Sequence, residues 1–365
     1  MNPRFAELRT LLNQDSLDAI FLSSLPNIIY FAEFAGSILQ ERGDAFLLLT
    51  KNKQYIFTYN MYANALKKHL GNFNLMQITQ KTPLPLLLKT IVDDEKLGEI
   101  GYEANDLRVG EFHRITHLIP EKNFSPTKIP SLLRVIKTAN EIERIQKASA
   151  ISDHVFSEII KKVRMGITEK QLANDIDYEI RKQDAHTAFK TIVAFAKNAA
   201  FPHHVPTTQK LKRGDTILLD FGVKAANYCS DMSRTIFFGK ASSEQRKVYA
   251  AVLEAQKKSI LFIEEKLNRG EKIKPANIDQ VGRDYISNLR LPPFNHMSHG
   301  IGLEVHEDPY FSAKSENILQ EGMVFSIEPG VYLNDKFGVR IEDLFVIENN
   351  KLVQLTNSPK ELIET

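Results

Sequence analysis

ILLDFGVKAANYCSDMSRT, residues 217 to 235, contains two β-rich runs joined by a short polar stretch around Ala225, Ala226 and Asn227. Asn tolerates the positive φ that tight hairpins require. Whether the turn centres on Ala225-Ala226 or Ala226-Asn227, antiparallel pairing sets Asp220 and Asp231 on one sheet face, directly opposite or on the diagonal. Two like charges so placed repel. A lone Asp more often ends a strand or caps a turn, but Asp220 closes the apolar run Ile217-Leu218-Leu219, where an unpaired carboxylate is costly unless a cation compensates it. The hairpin therefore points to a metal site built on a sheet.

Three residues further along complete that reading. His299 opens HGIGLEVHEDP, where Gly300 and Gly302 permit close backbone approach. With His296 and His306 around it, and Glu307-Asp308 behind, this segment resembles one wall of a charged cleft more than a surface loop. Glu328 stands in MVFSIEPG, delivered by an apolar strand pattern just before a Pro-Gly turn, and Glu342 stands within the strand pattern GVRIEDLFVI. An exposed strand would explain either glutamate alone, not both beside the Asp pair. Asp220, Asp231, His299, Glu328 and Glu342 supply enough ligands for two divalent ions if some carboxylates bridge. Oxygen-rich ligands with one nitrogen suit manganese, cobalt or zinc, and the single cysteine excludes an all-thiolate site.

From about Leu133 to Thr365 the chain resembles the dinuclear metallopeptidases of the pita-bread fold, which include Xaa-Pro aminopeptidase, prolidase and, more distantly, methionine aminopeptidase. FKTIVAFAKNAAFPHH, LLDFG, YCSDMSRT, SHGIGLEVHE, GMVFSIEPG and GVRIED match the family's motifs in order. The resemblance implies that Asp220 chelates one ion, that Asp231 and Glu342 bridge both, and that His299 and Glu328 complete the other. It assigns the family's substrate-contacting histidine to His203, leaving His204 beside it as a surface or supporting residue, and a second cleft histidine to His306. Arg340 resembles the family's cleft arginine and shares a face with Glu342 if their strand is regular; the alternative is an ion pair that only orients carboxylates. Many members carry a further histidine where this chain has Asn295, so the substrate-binding role of His296 departs from the family pattern.

Two cations sharing a water lower its pKa and polarise a carbonyl, which makes hydrolysis the expected chemistry. Glu328 is the candidate proton shuttle, with His203 and His306 holding substrate carbonyls or the developing oxyanion. The resemblance implies Xaa-Pro substrates and a homodimer. A dipeptidase must also grip the carboxylate that follows proline, best done by an arginine fork; SAKSENILQEG before Glu328 offers only Lys314. The balance favours an Xaa-Pro aminopeptidase, with a dipeptidase as the alternative. A metal-free creatinase-type hydrolase or a silent binding module would have lost ligands that this chain keeps.

The 365 residues suit two domains, and 43% hydrophobic with 25% charged residues are ordinary globular values. The expected architecture is α+β: a creatinase-like α/β domain over residues 1–130 and a pita-bread catalytic domain over 131–365. Alternating patterns before residue 130 predict a helix through Asn13, a strand at 17–23, a hairpin across 45–58 and strands near Asn74 and Leu97. A proline-marked linker then leads into a helix that Thr138 and Glu141 cap. Lys plus Arg number 47 against 45 Asp plus Glu, so nucleic acid is a poor partner. No apolar run approaches a membrane span and the start lacks the pattern of a signal peptide, which fits a cytoplasmic enzyme. Cys229, without a second cysteine, reads as a small buried residue beside the hairpin.

Overall fold

A computed structural model describes residues 3–293, 298–311 and 317–365. The chain forms two compact units that divide between Arg134 and Val135.

The first unit is built on a six-stranded mixed sheet of β1 (Ala19–Leu22), β2 (Ala45–Thr50), β3 (Gln54–Tyr59), β4 (Phe73–Ile78), β5 (Ile100–Tyr102) and β6 (Phe124–Pro126), in the order β4-β3-β2-β1-β5-β6. The expected 45–58 hairpin forms with Ala45 opposite Thr58, and Thr50 Oγ1 closes its turn by accepting from the Lys53 amide at 2.9 Å. Phe21, Phe46, Leu48 and Phe57 pack with Leu88, Ile91 and Val92 of the Leu84–Glu95 helix. Ile20, Leu47, Leu49 and Ile56, on the alternate positions, are also fully buried, as expected of a sheet covered on both faces. The segment read as a linker contains a helix, Ile129–Val135. Pro130 lies in its first turn, where proline is tolerated. Tyr30 Oη donates to the Leu133 carbonyl and Arg134 Nη1 to Asn27 Oδ1, each at 2.8 Å. These contacts tie the helix to the first unit, so the chain divides a few residues past 130.

The second unit repeats one arrangement twice. In its first half, β8 (Ile192–Phe195), β9 (Thr216–Phe221) and β12 (Met232–Phe237) form a sheet in the order β12-β9-β8. Between β9 and β12 lie β10 (Val223–Ala225) and β11 (Tyr228–Cys229), which join β7 (His186–Thr187) in a second small sheet. Ile217, Leu219, Phe221, Met232 and Ile236 pack against Val155, Phe156 and Ile159 of helix α1 (Ala139–Ile160) and Leu172 and Ile176 of helix α2 (Glu169–Arg181). Since strand side chains alternate, Leu218 and Asp220 face the other way, Leu218 toward Ala194, Ala199 and Tyr332. The capping box expected at the start of α1 is present: the Glu141 side chain accepts from the Thr138 amide at 2.8 Å, and Thr138 Oγ1 accepts from the Glu141 amide.

In the second half, β13 (His299–Gly300), β14 (Glu307–Tyr310), β15 (Val324–Ile327), β18 (Asp343–Glu348) and β19 (Lys351–Gln354) form a sheet in the order β14-β13-β15-β18-β19, beside the pair β16 (Gly330–Leu333) and β17 (Phe337–Arg340). Phe325, Ile327, Phe345 and Ile347 pack on Ile263 and Leu267 of the Ser243–Asn268 helix and Ile278 of the Pro275–Asn288 helix. Each half thus gives one face to a helix pair and leaves the alternate positions free to carry polar groups. Among the described residues no helix is long and apolar enough to cross a membrane.

Candidate metal centre

The hairpin turns at Ala226 and Asn227, both with positive φ, and pairs Ala225 with Tyr228. The same register continues into β9 and β12, where Ser233 lies opposite Asp220. Asp231, two residues before Ser233, therefore sits on the diagonal from Asp220, one of the two geometries the sequence allows. A Cβ at Gly222 would stand 2.3 Å from the Ser230 carbonyl oxygen, so only glycine lets the hairpin arms approach beside Asp231.

The second half brings the remaining groups. His299 sits on β13, and a Cβ at Gly300 after it would meet the Asp308 carbonyl at 2.5 Å. The ring's Nδ1–H donates to the Gly300 carbonyl at 3.1 Å, which fixes the tautomer and leaves Nε2 facing carboxylates. Nε2 lies 3.2 Å from Glu328 Oε1, 3.7 Å from Asp231 Oδ2 and 3.9 Å from Glu342 Oε1. Single ligand atoms of Asp231, His299 and Glu342 all lie within 4.8 Å of one another. Asp220, Asp231, His299, Glu328 and Glu342 line one cleft of about 860 Å³, together with His203, His306 and Arg340. The His306 ring stands edge-on to His299 with centroids 4.4 Å apart. His204 also borders the cleft, with its Nε2 2.9 Å from Glu169 Oε2. His296 and Lys314 lie outside the described residues.

The strand expected to carry both Arg340 and Glu342 is not continuous. It breaks after Arg340, and the chain resumes as β18 in a different sheet. Arg340 nevertheless reaches the cleft, buried, and donates to several protein partners. Its Nη2 pairs with Asp220, its Nε donates to Ser233 Oγ at 2.7 Å, and Nη1 donates to Tyr332 Oη at 2.5 Å and to the Pro202 carbonyl at 3.4 Å. Ser233 Oγ in turn donates to Glu342 Oε2 at 2.7 Å. These are the bonds an ion pair that orients the carboxylates would make, and Arg340 also lines the cleft. Ser233 and Tyr332 were missed in the sequence. Period-two alternation from Asp231 points to Ser233; nothing local points to Tyr332.

Burial pushes Asp231 and Glu342 well above the ordinary carboxylate range, and their carboxylate neighbours push further in the same direction. Burial also raises Asp220, against the pull of Arg340. For Glu328 burial acts upward too, but the hydrogen bond and charge of His299 outweigh it and hold it below its usual value. Burial opposes charging of His299, yet Glu328 and Glu342 raise it to about 9. Burial and the charge of His299 together lower His306. Among the described residues, Arg340 and His299 are the main cationic partners of the four carboxylates.

The residues fit a pair of divalent ions on three counts. Asp220 Oδ1, Asp231 Oδ1 and Glu342 Oε1 are buried without a hydrogen-bond partner. Such buried acceptors are rare without an ion or an ordered water to satisfy them. The negative charge exceeds what the protein itself neutralises, and carboxylates with one imidazole are the donor set of hard to borderline ions.

Residues 143–349 match metallopeptidase family M24, and residues 4–136 match the creatinase/prolidase N-terminal domain. Over 373 residues the chain is 30% identical to the Xaa-Pro dipeptidase of Pyrococcus horikoshii, covering 100% of this chain and 99% of that protein. Among solved structures, an Xaa-Pro dipeptidase from Bacillus anthracis matches with a TM-score of 0.91 at 29% identity, covering 100% of this chain and 99% of that one. An X-Pro aminopeptidase from Thermotoga maritima matches with a TM-score of 0.85 at 30% identity, covering 96% and 98%. With a creatinase/prolidase N-terminal domain ahead of its catalytic domain, and an α+β architecture shared with prolidase structures, the chain belongs to metallopeptidase family M24, a family of dinuclear metal-dependent peptidases.

Proposed function

We propose that the protein is an Xaa-Pro aminopeptidase, a metal-dependent exopeptidase that cleaves the bond before proline at peptide N-termini. The observation that carries this reading is the buried set of unpartnered carboxylate oxygens around His299, open to a cleft that His203 and His306 also line. Asp220 would hold one ion, Asp231 and Glu342 would bridge, and His299 and Glu328 would complete the second position; manganese suits this set best, with cobalt or zinc as substitutes. Bound there, two divalent cations would lower the pKa of a shared water and polarise the scissile carbonyl.

The chain's own residues supply the rest. Glu328 takes the proton of the attacking water and passes it to the proline nitrogen as the C–N bond breaks. His306, kept neutral at neutral pH by its lowered pKa, has an N–H to donate to a substrate carbonyl or to the developing oxyanion, and His203 acts from the opposite loop. Arg340 acts through Asp220 and Ser233 rather than on the substrate. Composition supports a cytoplasmic protein, near-neutral charge argues against nucleic acid as a partner, and the family resemblance suggests a homodimer.

A dipeptidase is the second reading, favoured by the names of the Pyrococcus and Bacillus proteins. The missing arginine before Glu328 weighs against it, since lysine grips a carboxylate without bidentate geometry. Cleavage of Ala-Pro and Ala-Pro-Ala, compared in manganese and after chelation, decides between them. Chelator-sensitive preference for the tripeptide is expected. A clear preference for the dipeptide that disappears in Lys314→Ala establishes the dipeptidase and makes Lys314 the carboxylate contact.

A further inference from the structure

One buried acid outside the metal centre is bonded almost wholly to a single cleft segment. Glu169, the first residue of α2, is 0% exposed. Its Oε1 accepts from the Phe195 amide at 2.8 Å and from Asn198 Nδ2 at 2.9 Å. Its Oε2 accepts from His204 Nε2 at 2.9 Å, from the Thr207 amide at 2.9 Å and from Thr207 Oγ1 at 2.6 Å. All these partners belong to residues 195–207, and His203 lies between the upstream and downstream sets. The main chain adds Lys170 N to the Thr207 carbonyl at 3.0 Å. The tip itself has little apolar anchorage, since Phe201 is 60% and Val205 73% exposed.

The chemistry of this arrangement is exacting. Burial pushes the Glu169 carboxyl upward, but the surrounding donors outweigh it and hold the acid below its usual range, so it is an anion, at a helix N-terminus that favours one. An anion accepts on both oxygens, and both are fully used by donors. An amide in either orientation would turn its N–H groups on one set of those donors. Only a carboxylate satisfies the whole bracket.

We propose that Glu169 is a positioning residue for the reaction, clamping residues 195–207 from both sides so that His203 is presented to the cleft in one fixed place. The inference rests on the proposed role of His203 in substrate contact. A displacement of about 1 Å in a catalytic contact can cost on the order of a hundredfold in rate. Glu169→Gln releases the clamp and leaves every metal ligand in place.

Four measurements on the full-length protein test this: amide hydrogen exchange across 195–207, metal content, kcat and KM on an Xaa-Pro peptide, and the same constants in His203→Ala and in the double variant. In Glu169→Gln, exchange at 195–207 should quicken while β9 and β12 stay protected. Metal content should match the wild type, and kcat should fall roughly tenfold to a hundredfold with a smaller change in KM. The double variant should be no slower than His203→Ala alone, because both changes remove one contribution. Unchanged exchange, full kcat in a loosened loop, or losses that multiply in the double variant would each overturn the proposal. If Glu169→Gln does not fold, Thr207→Val removes a single donor and should give the same pattern at smaller size; its absence counts equally against the clamp. If the wild-type protein cuts no Xaa-Pro peptide, the proposed function fails, and the clamp stands or falls on the exchange data.

Discussion

Asp231→Asn should make the metal-free protein more stable while crippling the metal-loaded one. Asp231 is 5% exposed, and its ligand atom lies within 4.8 Å of that of Glu342. Two unit charges at that separation repel by roughly 3 kcal/mol at an effective dielectric of about 20, and burial adds a penalty of the same sign. His299, 3.7 Å away, offsets part of this. The expected gain for the chelated variant at neutral pH is therefore about 1–3 kcal/mol, read as a higher urea midpoint at unchanged slope. The pH dependence has a definite sign. The folded pKa of Asp231 is raised, so its ionised form destabilises the fold above the unfolded value near 3.9, and the penalty fades as pH falls toward that value. The stability difference between variant and wild type should accordingly shrink toward pH ~4. Excess manganese should reverse the order. The wild type gains about 2.7 kcal/mol when the ion is a hundredfold above its Kd, and the variant, missing a bridging carboxylate, gains less. A chelated Asp231→Asn that is less stable than wild type at neutral pH, yet takes up as much manganese, would refute the reasoning.

Glu328→Gln should lower kcat far more than it raises KM, because the shuttle acts only as the bond breaks; a loss confined to KM would leave Glu328 without that role. His203→Ala and His306→Ala should each slow turnover and keep full metal content, and stoichiometric metal loss in either would mean that the ligand set is misdrawn. His296→Ala should have a smaller effect than these two. Light scattering at micromolar concentration should report a dimer, and a particle of only 41.6 kDa would rule it out.

Much of the centre is legible because its signals are local. Ala226-Asn227 needs only its neighbours to turn the hairpin, Thr138 and Glu141 cap a helix across three residues, and the runs around Asp220, Glu328 and Glu342 show strand pattern and misplaced charge together. The order of the motifs then identifies the family. Less visible was the helix hidden in the presumed linker, since Pro130 reads as a breaker unless its place in a first turn is known.

What the sequence by itself determined was which residues carry charge into apolar strands, and so which chemistry is present; period and turn type depend on neighbours a few positions apart. The partners were decided only by the tertiary structure. The sequence sets Arg340 and Glu342 on one strand pattern, but the chain breaks between them, and the guanidinium donates to Asp220, Ser233, Tyr332 and Pro202. The Glu169 carboxylate, at the start of a helix, takes its hydrogen bonds from Phe195 to Thr207, well along the chain. No local pattern encodes such choices, because a buried donor or acceptor takes whichever partner the packing of distant strands and helices brings within reach.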